Sequence, residues 1–223
     1  MNTTDHSPPT PLRLAVFVGS HGRGSNLMAI HTAIGDGRLS ARVVCVIGTR
    51  SDAPAIARAK ESDLPTRVLS PKDRSEEEYG DALLKALRGA GAEAIALAGY
   101  MRRMPSAVVA AYRHRIINIH PALLPAFGGK GMYGEHVHRG VLEYGAKVSG
   151  CTVHFIDEEY DTGPVILQKV VPVEEGDTPQ SLAARILPLE HAAYVEALQL
   201  LAEGRLSVEG RIVHVAPPPT PGV

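Results

Sequence analysis

Short apolar runs alternate with amphipathic stretches through the first 120 residues of the chain. Runs of strand length are predicted at residues 12–18, 41–47, 66–69, 94–98 and 115–118. Helical periodicity is predicted after Ser25 and at residues 53–61, 76–88 and 106–112. Because strands that alternate with helices are joined by right-handed crossovers, we expect an α/β fold. Its mostly parallel, Rossmann-like sheet should be covered on both faces, giving a three-layer sandwich.

The pattern changes after Pro125. The glycine-rich segment 128–134 predicts a mobile loop, and a helix is expected at 135–144. Two long strands at 147–156 and 165–173 surround an acidic loop and are predicted to be antiparallel. A capped helix at 178–201 and a hairpin of residues 205–208 and 211–215 complete an antiparallel C-terminal extension. We expect one domain over residues 12–215.

Composition narrows the classes of function. The 223 residues hold 23 Lys and Arg against 24 Asp and Glu, so no basic excess points to nucleic acid or to an anionic membrane. No window approaches the roughly 20 apolar residues of a membrane span. Residues 1–11 are polar and proline-rich, lack the regions of a signal peptide and predict a disordered lead-in. The proline-rich residues 216–223 predict a frayed tail. We expect a cytoplasmic protein with small-molecule substrates, as a monomer or a homodimer.

The two cysteines, Cys45 and Cys151, lie in apolar, strand-like segments. We interpret them as buried free thiols in a reducing compartment.

Asn118, His120 and Asp161 are the strongest candidates for chemistry. Period-two alternation places Asn118 and His120 on one face of the fifth strand, at the end that Pro121 terminates. Ligands bind at the carboxyl ends of strands in open α/β sheets. Asp161 is chosen from the acidic run because Thr162, Gly163 and Pro164 behind it constrain the loop. An amide donor, a proton carrier and an orienting carboxylate are suited to acyl-type transfer.

The glycine loop before the first helix predicts a phosphate site. Gly22 and Gly24 fit the start of a dinucleotide fingerprint, but its third glycine position holds Leu27. What remains is a helix N-terminus with the Ser25 hydroxyl and the Asn26 amide, which suits a single phosphate monoester. A tight strand-to-helix turn without a ligand is the alternative.

The remaining histidines leave other functions open. His136 and His138 could be drawn with His120 and Asp161 as a metal site, but helical residues two apart do not share a face. We therefore expect neither a metal nor a nucleotide cofactor. His154 is either a core histidine or a catalytic one. A serine hydrolase is not expected, since no G-x-S-x-G elbow occurs.

Four segments, in order, carry a resemblance to a known family. They are Gly22-x-Gly24-Ser25-Asn26-Leu27, Leu97-Ala98-Gly99-Tyr100-Met101-Arg102, Asn118-x-His120-Pro121-x-x-Leu124-Pro125 and Asp161-x-Gly163-Pro164. Over roughly residues 12–215 the chain resembles the glycinamide ribonucleotide formyltransferases of purine biosynthesis. The block after Asn118 is typical of folate-dependent formyl transferases in general. The phosphate loop and the segment 189–194 narrow the resemblance to the ribonucleotide enzymes.

The resemblance implies a formyl transferase fold and a transfer of the formyl group from 10-formyltetrahydrofolate to a glycinamide amine. It implies that Asn118, His120 and Asp161 are catalytic, with Asp161 raising the pKa of His120. It places the substrate phosphate on Gly24, Ser25 and Asn26 and the substrate on Glu190. The folate would contact the residues Met101, Arg102, Arg103, Met104, Asn118, Ile156 and Asp157.

The chain departs from the family pattern at three places. Arg103 stands where many members have an apolar residue, so it either points to solvent or reshapes the pterin pocket. Glu76 stands where many have an arginine for the folate tail, with Arg74 two residues earlier. The loop 128–134 differs from the shorter family loops.

Three other functions compete. Formyltetrahydrofolate deformylases share the Asn-His-Asp chemistry but carry an N-terminal regulatory domain, for which a first strand at Leu12 leaves no room. Methionyl-tRNA formyltransferases have an additional C-terminal domain. A ligand-binding module without catalysis is disfavoured because all three polar positions are present.

Overall fold

The computed structural model describes residues 10–218, and its main element is a seven-stranded sheet in the order β3-β2-β1-β4-β5-β6-β7. The strands from β3 to β5 are parallel, and β6 and β7 are antiparallel additions. Two further strands, β8 and β9, form a separate hairpin. In chain order the elements are β1 (Leu12–Val18), α1 (Ser25–Gly35), β2 (Ala41–Gly48), α2 (Pro54–Glu61), β3 (Thr66–Val68), α3 (Glu76–Gly89), β4 (Ala94–Ala98), α4 (Ser106–Ala111), β5 (Ile116–His120), α5 (Glu135–Tyr144), β6 (Val148–Phe155), β7 (Val165–Pro172), α6 (Pro179–Ala202), β8 (Leu206–Glu209) and β9 (Ile212–Val215).

The sheet is buried on both faces, as the apolar runs predict. Along β1, Leu14, Val16 and Val18 pack against the core that α1, α2, α5 and α6 complete. Ala15 and Phe17 point the opposite way, into the core formed with α3 and α4. The three-layer α/β sandwich and its antiparallel extension are therefore confirmed.

β5 differs most from its predicted bounds, whereas the ends of the other strands of the large sheet agree to within one residue. The sequence predicts that it ends at Asn118, but it continues to His120. Its last two residues leave β4 and pair only with β6, where Ile119 faces Val153 and His120 faces Thr152. Because the antiparallel partner supplies hydrogen bonds that β4 cannot, both polar side chains stay on a regular strand.

The loops after β1 and β4 touch at the centre of the sheet edge. A Cβ on Gly19 would lie 2.1 Å from the carbonyl oxygen of Gly99, so a larger residue at position 19 would displace the backbone. This close approach brings the carboxyl ends of β1 and β4 to one crevice, the usual ligand position in such sheets.

Cys45 and Cys151 are buried free thiols, as predicted. Residues 1–9 and 219–223, which hold most of the predicted lead-in and tail, lie outside the described residues. The one-domain interpretation stays a prediction. None of the helices within residues 10–218 combines the length and the apolar character needed to cross a membrane.

Candidate active site

Asn118 is held in place by a histidine on the neighbouring strand. Asn118 and His154 face each other across β5 and β6, and the amide Nδ2 lies 3.1 Å from His154 Nε2. His154 Nδ1 lies 2.8 Å from the Phe155 carbonyl oxygen, which can only accept a hydrogen bond, so Nδ1 carries the proton. In the tautomer with its proton on Nδ1, His154 accepts from Asn118 through Nε2. One N–H of Asn118 is fixed in this way, and the other remains for the cavity.

His120 is buried with an acceptor at each ring nitrogen. Its Nε2 lies 2.8 Å from the Phe127 carbonyl oxygen, and its Nδ1 lies 3.5 Å from Asp161 Oδ2. Only 3% of the residue is exposed. Since Nε2 must donate to the carbonyl, the neutral ring has its lone pair on Nδ1, facing the carboxylate. Protonation at Nδ1 would turn that contact into a charge-assisted hydrogen bond.

Asp161 lies at a bend between β6 and β7, with a positive φ of 57°. Its Oδ2 accepts a hydrogen bond of 2.9 Å from Gly129 N, and its Oδ1 lies 3.6 Å from His154 Nε2. Two residues later, a Cβ on Gly163 would lie 1.9 Å from the Phe155 carbonyl oxygen. The close approach at Gly163 fixes the loop and aims Asp161 at both histidines, in agreement with the choice of Asp161 from the acidic run.

Burial lowers the pKa of His120 below its ordinary value, against the opposing effects of the Asp161 carboxylate and the Phe127 carbonyl. Asp161 therefore raises the pKa of His120, as expected, but burial has the larger effect and the net shift is downward. The pKa of the Asp161 carboxyl lies below its ordinary value: burial raises it, but a proton on the His154 or His120 ring facing the carboxylate and the hydrogen bond from Gly129 N–H lower it. The resting site therefore pairs a neutral imidazole with a carboxylate.

A cavity of about 510 Å³ opens beside these groups at the carboxyl ends of β4 and β5. Asn118, His120 and Asp161 line it together. The predicted folate residues Met101, Arg102, Arg103, Met104, Ile156 and Asp157 line it as well. On the opposite side, the glycine-rich segment contributes residues 129–134 to the wall. Whether this loop moves stays a prediction.

Asn26 and Glu190 also line the central cavity, where the N-terminus of α1 meets α6. Asn26 Nδ2 donates to Glu190 Oε2 at 3.4 Å, and Asn26 Oδ1 is buried without a protein partner. Desolvation raises the pKa of Glu190 to about 7, and the hydrogen bond from Asn26 opposes the shift. Glu190 thus lies in a part of the cavity where an ionised carboxylate has few compensating partners.

Gly24 and Ser25 lie outside the central cavity, at the N-terminus of α1. Gly24 is the N-cap with a φ of 73°, and no side chain caps the helix. Its first N–H groups are therefore free of a side-chain acceptor, as an anion site requires. Ser25 lines an adjacent cavity of about 450 Å³ with Arg58 and His191. Asn26 alone of the three predicted phosphate residues reaches the central cavity.

Arg103 and Glu76, two of the three departures from the family pattern, contact each other. Arg103 Nη2 lies 3.4 Å from Glu76 Oε2, and its Nη1 lies 3.7 Å from Glu159 Oε1. Arg103 therefore spans the rim of the central cavity. A second cavity of about 460 Å³, with Arg74 and Arg102 in its walls, shares this rim.

The histidines of α5 do not share a face, as their spacing predicts. His138 is buried and lines the central cavity, whereas His136 is exposed and packs against Tyr133. Within residues 10–218, no cluster of three or more His, Cys, Asp or Glu side chains suits a metal ion. The absence of a metal cofactor stays a prediction.

The structure adds two backbone groups that sequence reasoning did not place in the site, the carbonyl of Phe127 and the N–H of Gly129. It also puts the ring of His154, which the sequence left open as a core or a catalytic histidine, beside Asn118. The alternation of β6 could have indicated His154, because it shares a sheet face with Asn118 once the two strands pair. Backbone groups leave no such signal in a sequence.

A sequence model of the formyl transferase family matches residues 12–198. Phosphoribosylglycinamide formyltransferase from Bacillus subtilis is 38% identical over 190 residues, which are 85% of this chain and 94% of that protein. The structure of glycinamide ribonucleotide transformylase 1 from Symbiobacterium toebii superposes with a TM-score of 0.85 and 41% identity. That match covers 95% of this chain and 100% of the other.

Longer proteins match as well. The chloroplastic phosphoribosylglycinamide formyltransferase of Arabidopsis thaliana is 44% identical over 201 residues, which are 89% of this chain and 68% of that protein. The chain spans 62% of a similarly named protein from Vigna unguiculata and 15% of the trifunctional purine biosynthetic protein adenosine-3 from Drosophila pseudoobscura.

A formyltetrahydrofolate deformylase from Pseudomonas syringae shares the fold. Its structure superposes with a TM-score of 0.82, but the identity is 24%, over 93% of this chain and 66% of that one. That likeness extends to the fold alone.

Proposed function

Since the chain belongs to the formyl transferase family, among the phosphoribosylglycinamide formyltransferases, we propose that it formylates the amine of 5′-phosphoribosylglycinamide, using 10-formyltetrahydrofolate. The products are formylglycinamide ribonucleotide and tetrahydrofolate. One observation carries this proposal: an amide, an imidazole and a carboxylate converge on a cavity that Asn26 and Glu190 also line. The folate that donates the formyl group and the ribonucleotide that accepts it can therefore meet beside the catalytic groups.

The amine of the ribonucleotide attacks the formyl carbon, forming a C–N bond and a tetrahedral oxyanion. The free N–H of Asn118 donates to this oxyanion, and the bond to His154 keeps the amide oriented before the reaction. Preorganised donors of this kind account for about 10²–10³ in kcat in other acyl-transfer enzymes.

His120 moves the proton. Its lowered pKa leaves Nδ1 unprotonated at neutral pH, so it can accept the proton that the attacking amine loses. The imidazolium that forms is stabilised by Asp161 on one side and by the Phe127 carbonyl on the other. It then protonates N10 of the folate as the bond between the formyl carbon and N10 breaks.

The ribonucleotide is placed by its phosphate. The N–H groups at the start of α1, with Gly24, Ser25 and Asn26, bind the phosphate monoester. Glu190 then accepts hydrogen bonds from the substrate within the central cavity. The pairing of Asn26 with Glu190 supports this placement, because it joins the phosphate loop to the carboxylate proposed to bind the rest of the substrate.

The pterin of the folate lies between the segment Met101–Met104 and residues Ile156 and Asp157. The tail of the folate leaves over the rim that Arg103 forms. The second cavity beyond the rim, with Arg74 and Arg102, suits the carboxylates of that tail. We infer that Arg103, which is paired with Glu76, contacts the folate tail.

Hydrolysis of 10-formyltetrahydrofolate is the alternative activity, favoured by the shared deformylase fold. In such an enzyme water replaces the ribonucleotide, and a phosphate loop linked to the half-buried carboxylate of Glu190 would have no ligand. The contact between Asn26 and Glu190 supports transfer to the ribonucleotide instead.

We further propose that the protein acts in the cytoplasm on small molecules alone, as a monomer or a homodimer and without a metal or nucleotide cofactor. The function is tested by incubating the protein with both substrates and identifying the product by mass spectrometry. A ribonucleotide heavier by one carbonyl group supports the proposal, and free formate with unchanged ribonucleotide contradicts it.

A further inference from the structure

Tyr194 of α6 is buried behind the central cavity and reaches two strands at once. Its hydroxyl donates to the Leu97 carbonyl of β4 at 2.9 Å and to the Ile117 carbonyl of β5 at 3.0 Å. None of its surface is exposed. A single hydroxyl proton is thus shared between two carbonyls of adjacent strands.

These two carbonyls lie where β4 and β5 part. Leu97 and Asn118 are the last residues that face each other between the two strands, and β5 then continues with β6 alone. The central cavity opens at this point and is lined by Leu97 and Asn118. The hydroxyl of Tyr194 therefore spans the base of the crevice, one residue before the catalytic amide.

The same helix carries Glu190 one turn earlier. Residues four apart lie on one face of a helix, so Tyr194 and Glu190 project toward the sheet together. Because Glu190 lines the cavity and Tyr194 bonds the residue before Asn118, the Tyr194 hydroxyl links the helix that carries Glu190 to the strand that carries Asn118.

We propose that Tyr194 is a positioning residue, which holds the substrate-binding helix and the catalytic strand end in register for formyl transfer. The inference rests on the proposed function. In this inference the buried hydroxyl fixes the distance between the ribonucleotide bound at Glu190 and the Asn118 amide that donates to the oxyanion. Small displacements of reacting groups are costly, since about 1 Å can reduce a rate by as much as about 10²-fold.

The chain offers a matched control. The Tyr112 hydroxyl donates to the Ala92 carbonyl at 3.2 Å, and neither residue lines the central cavity. Tyr194→Phe and Tyr112→Phe each remove a tyrosine hydroxyl from a backbone carbonyl. A role limited to stability predicts a lower Tm in both variants and unchanged kinetics.

The test measures kcat and both KM values for the wild type and the two variants, together with the NMR resonances of the Asn118 side-chain amide. We expect Tyr194→Phe to lower kcat about tenfold, with each KM changed less than about threefold, and to shift the Asn118 resonances. Tyr112→Phe should leave kcat and those resonances unchanged. Asn118→Asp identifies the resonances by their loss.

Two results would overturn the inference. One is a Tyr194→Phe variant with kcat within about twofold of the wild type and unshifted Asn118 resonances. The other is an equal loss of kcat in both variants. If the wild type transfers no formyl group, that result contradicts the proposed function and not the role of Tyr194. The Asn118 resonances then still show whether Tyr194 positions the strand end.

Discussion

Asn118 and His154 face each other across β5 and β6, with the asparagine amide 3.1 Å from the histidine Nε2. The proton on His154 Nδ1 is committed to the Phe155 carbonyl, so Nε2 acts as an acceptor. This histidine therefore determines which way the Asn118 amide points.

His154→Leu should lower kcat by about tenfold or more, while Asn118→Ala should cost about 10²-fold. Without the acceptor the amide can rotate away from the oxyanion, so the two residues act as one unit. We expect the double variant to be no slower than Asn118→Ala alone. Steady-state kinetics of the double-mutant cycle checks this, and multiplicative losses in the double variant would contradict it.

Asp161→Asn should lower kcat by about 10²-fold without unfolding the protein. The amide can still accept from Gly129 N, but it cannot stabilise the imidazolium of His120. Glu158→Gln, at an exposed acid of the same loop, is the matched control and should keep wild-type kcat. The prediction is wrong if both variants retain full activity.

Glu190 should make the stability of the protein depend on pH. Its folded-state pKa of about 7 lies above the ordinary 4.5, so the folded protein binds more protons than the unfolded chain between these values. The contribution of Glu190 to the free energy of unfolding is therefore lost as the pH rises through that window. Glu190→Gln removes the ionisation, and its Tm relative to the wild type should be higher at pH 8 than at pH 5. Equal Tm differences at both pH values would exclude the shift.

Gly163→Ala should destabilise the protein by about 1–3 kcal/mol and reduce kcat, because the new Cβ would meet the Phe155 carbonyl oxygen. A displaced loop moves Asp161 away from both histidines. Gly35→Ala is the control: no atom lies within 4 Å of a Cβ at this helical position, so stability should hold or rise. Chemical denaturation and kcat measurements distinguish the two. Wild-type behaviour of Gly163→Ala would refute the account of the loop.

Much of this arrangement could be predicted from the sequence. The alternation around Asn118 and His120 fixes their common face, and Pro121 marks the strand end, because both follow from the local geometry of a strand. The length of β5 and the role of His154 depend on pairing with β6, which no local pattern contains. The net direction of the His120 pKa shift could not be predicted for the same reason. The sequence indicates the partner Asp161, which raises this pKa, whereas the burial that lowers it depends on the packed fold.

Arg103 and Glu76 show a different limit. Each departs from the family pattern, and each was assessed separately. The structure shows that they pair across the cavity rim, so the two departures form one feature. Contacts between segments distant in the sequence require the fold before they can be recognised.

The most direct test of the proposed transfer is the release of tetrahydrofolate, followed by absorbance, from 10-formyltetrahydrofolate with and without 5′-phosphoribosylglycinamide. The arrangement of Asn118, His120 and Asp161 in one cavity with Glu190 predicts rapid release only when the ribonucleotide is present. Release at an equal rate without the ribonucleotide would mean that water is the acceptor, and the protein would then be a deformylase.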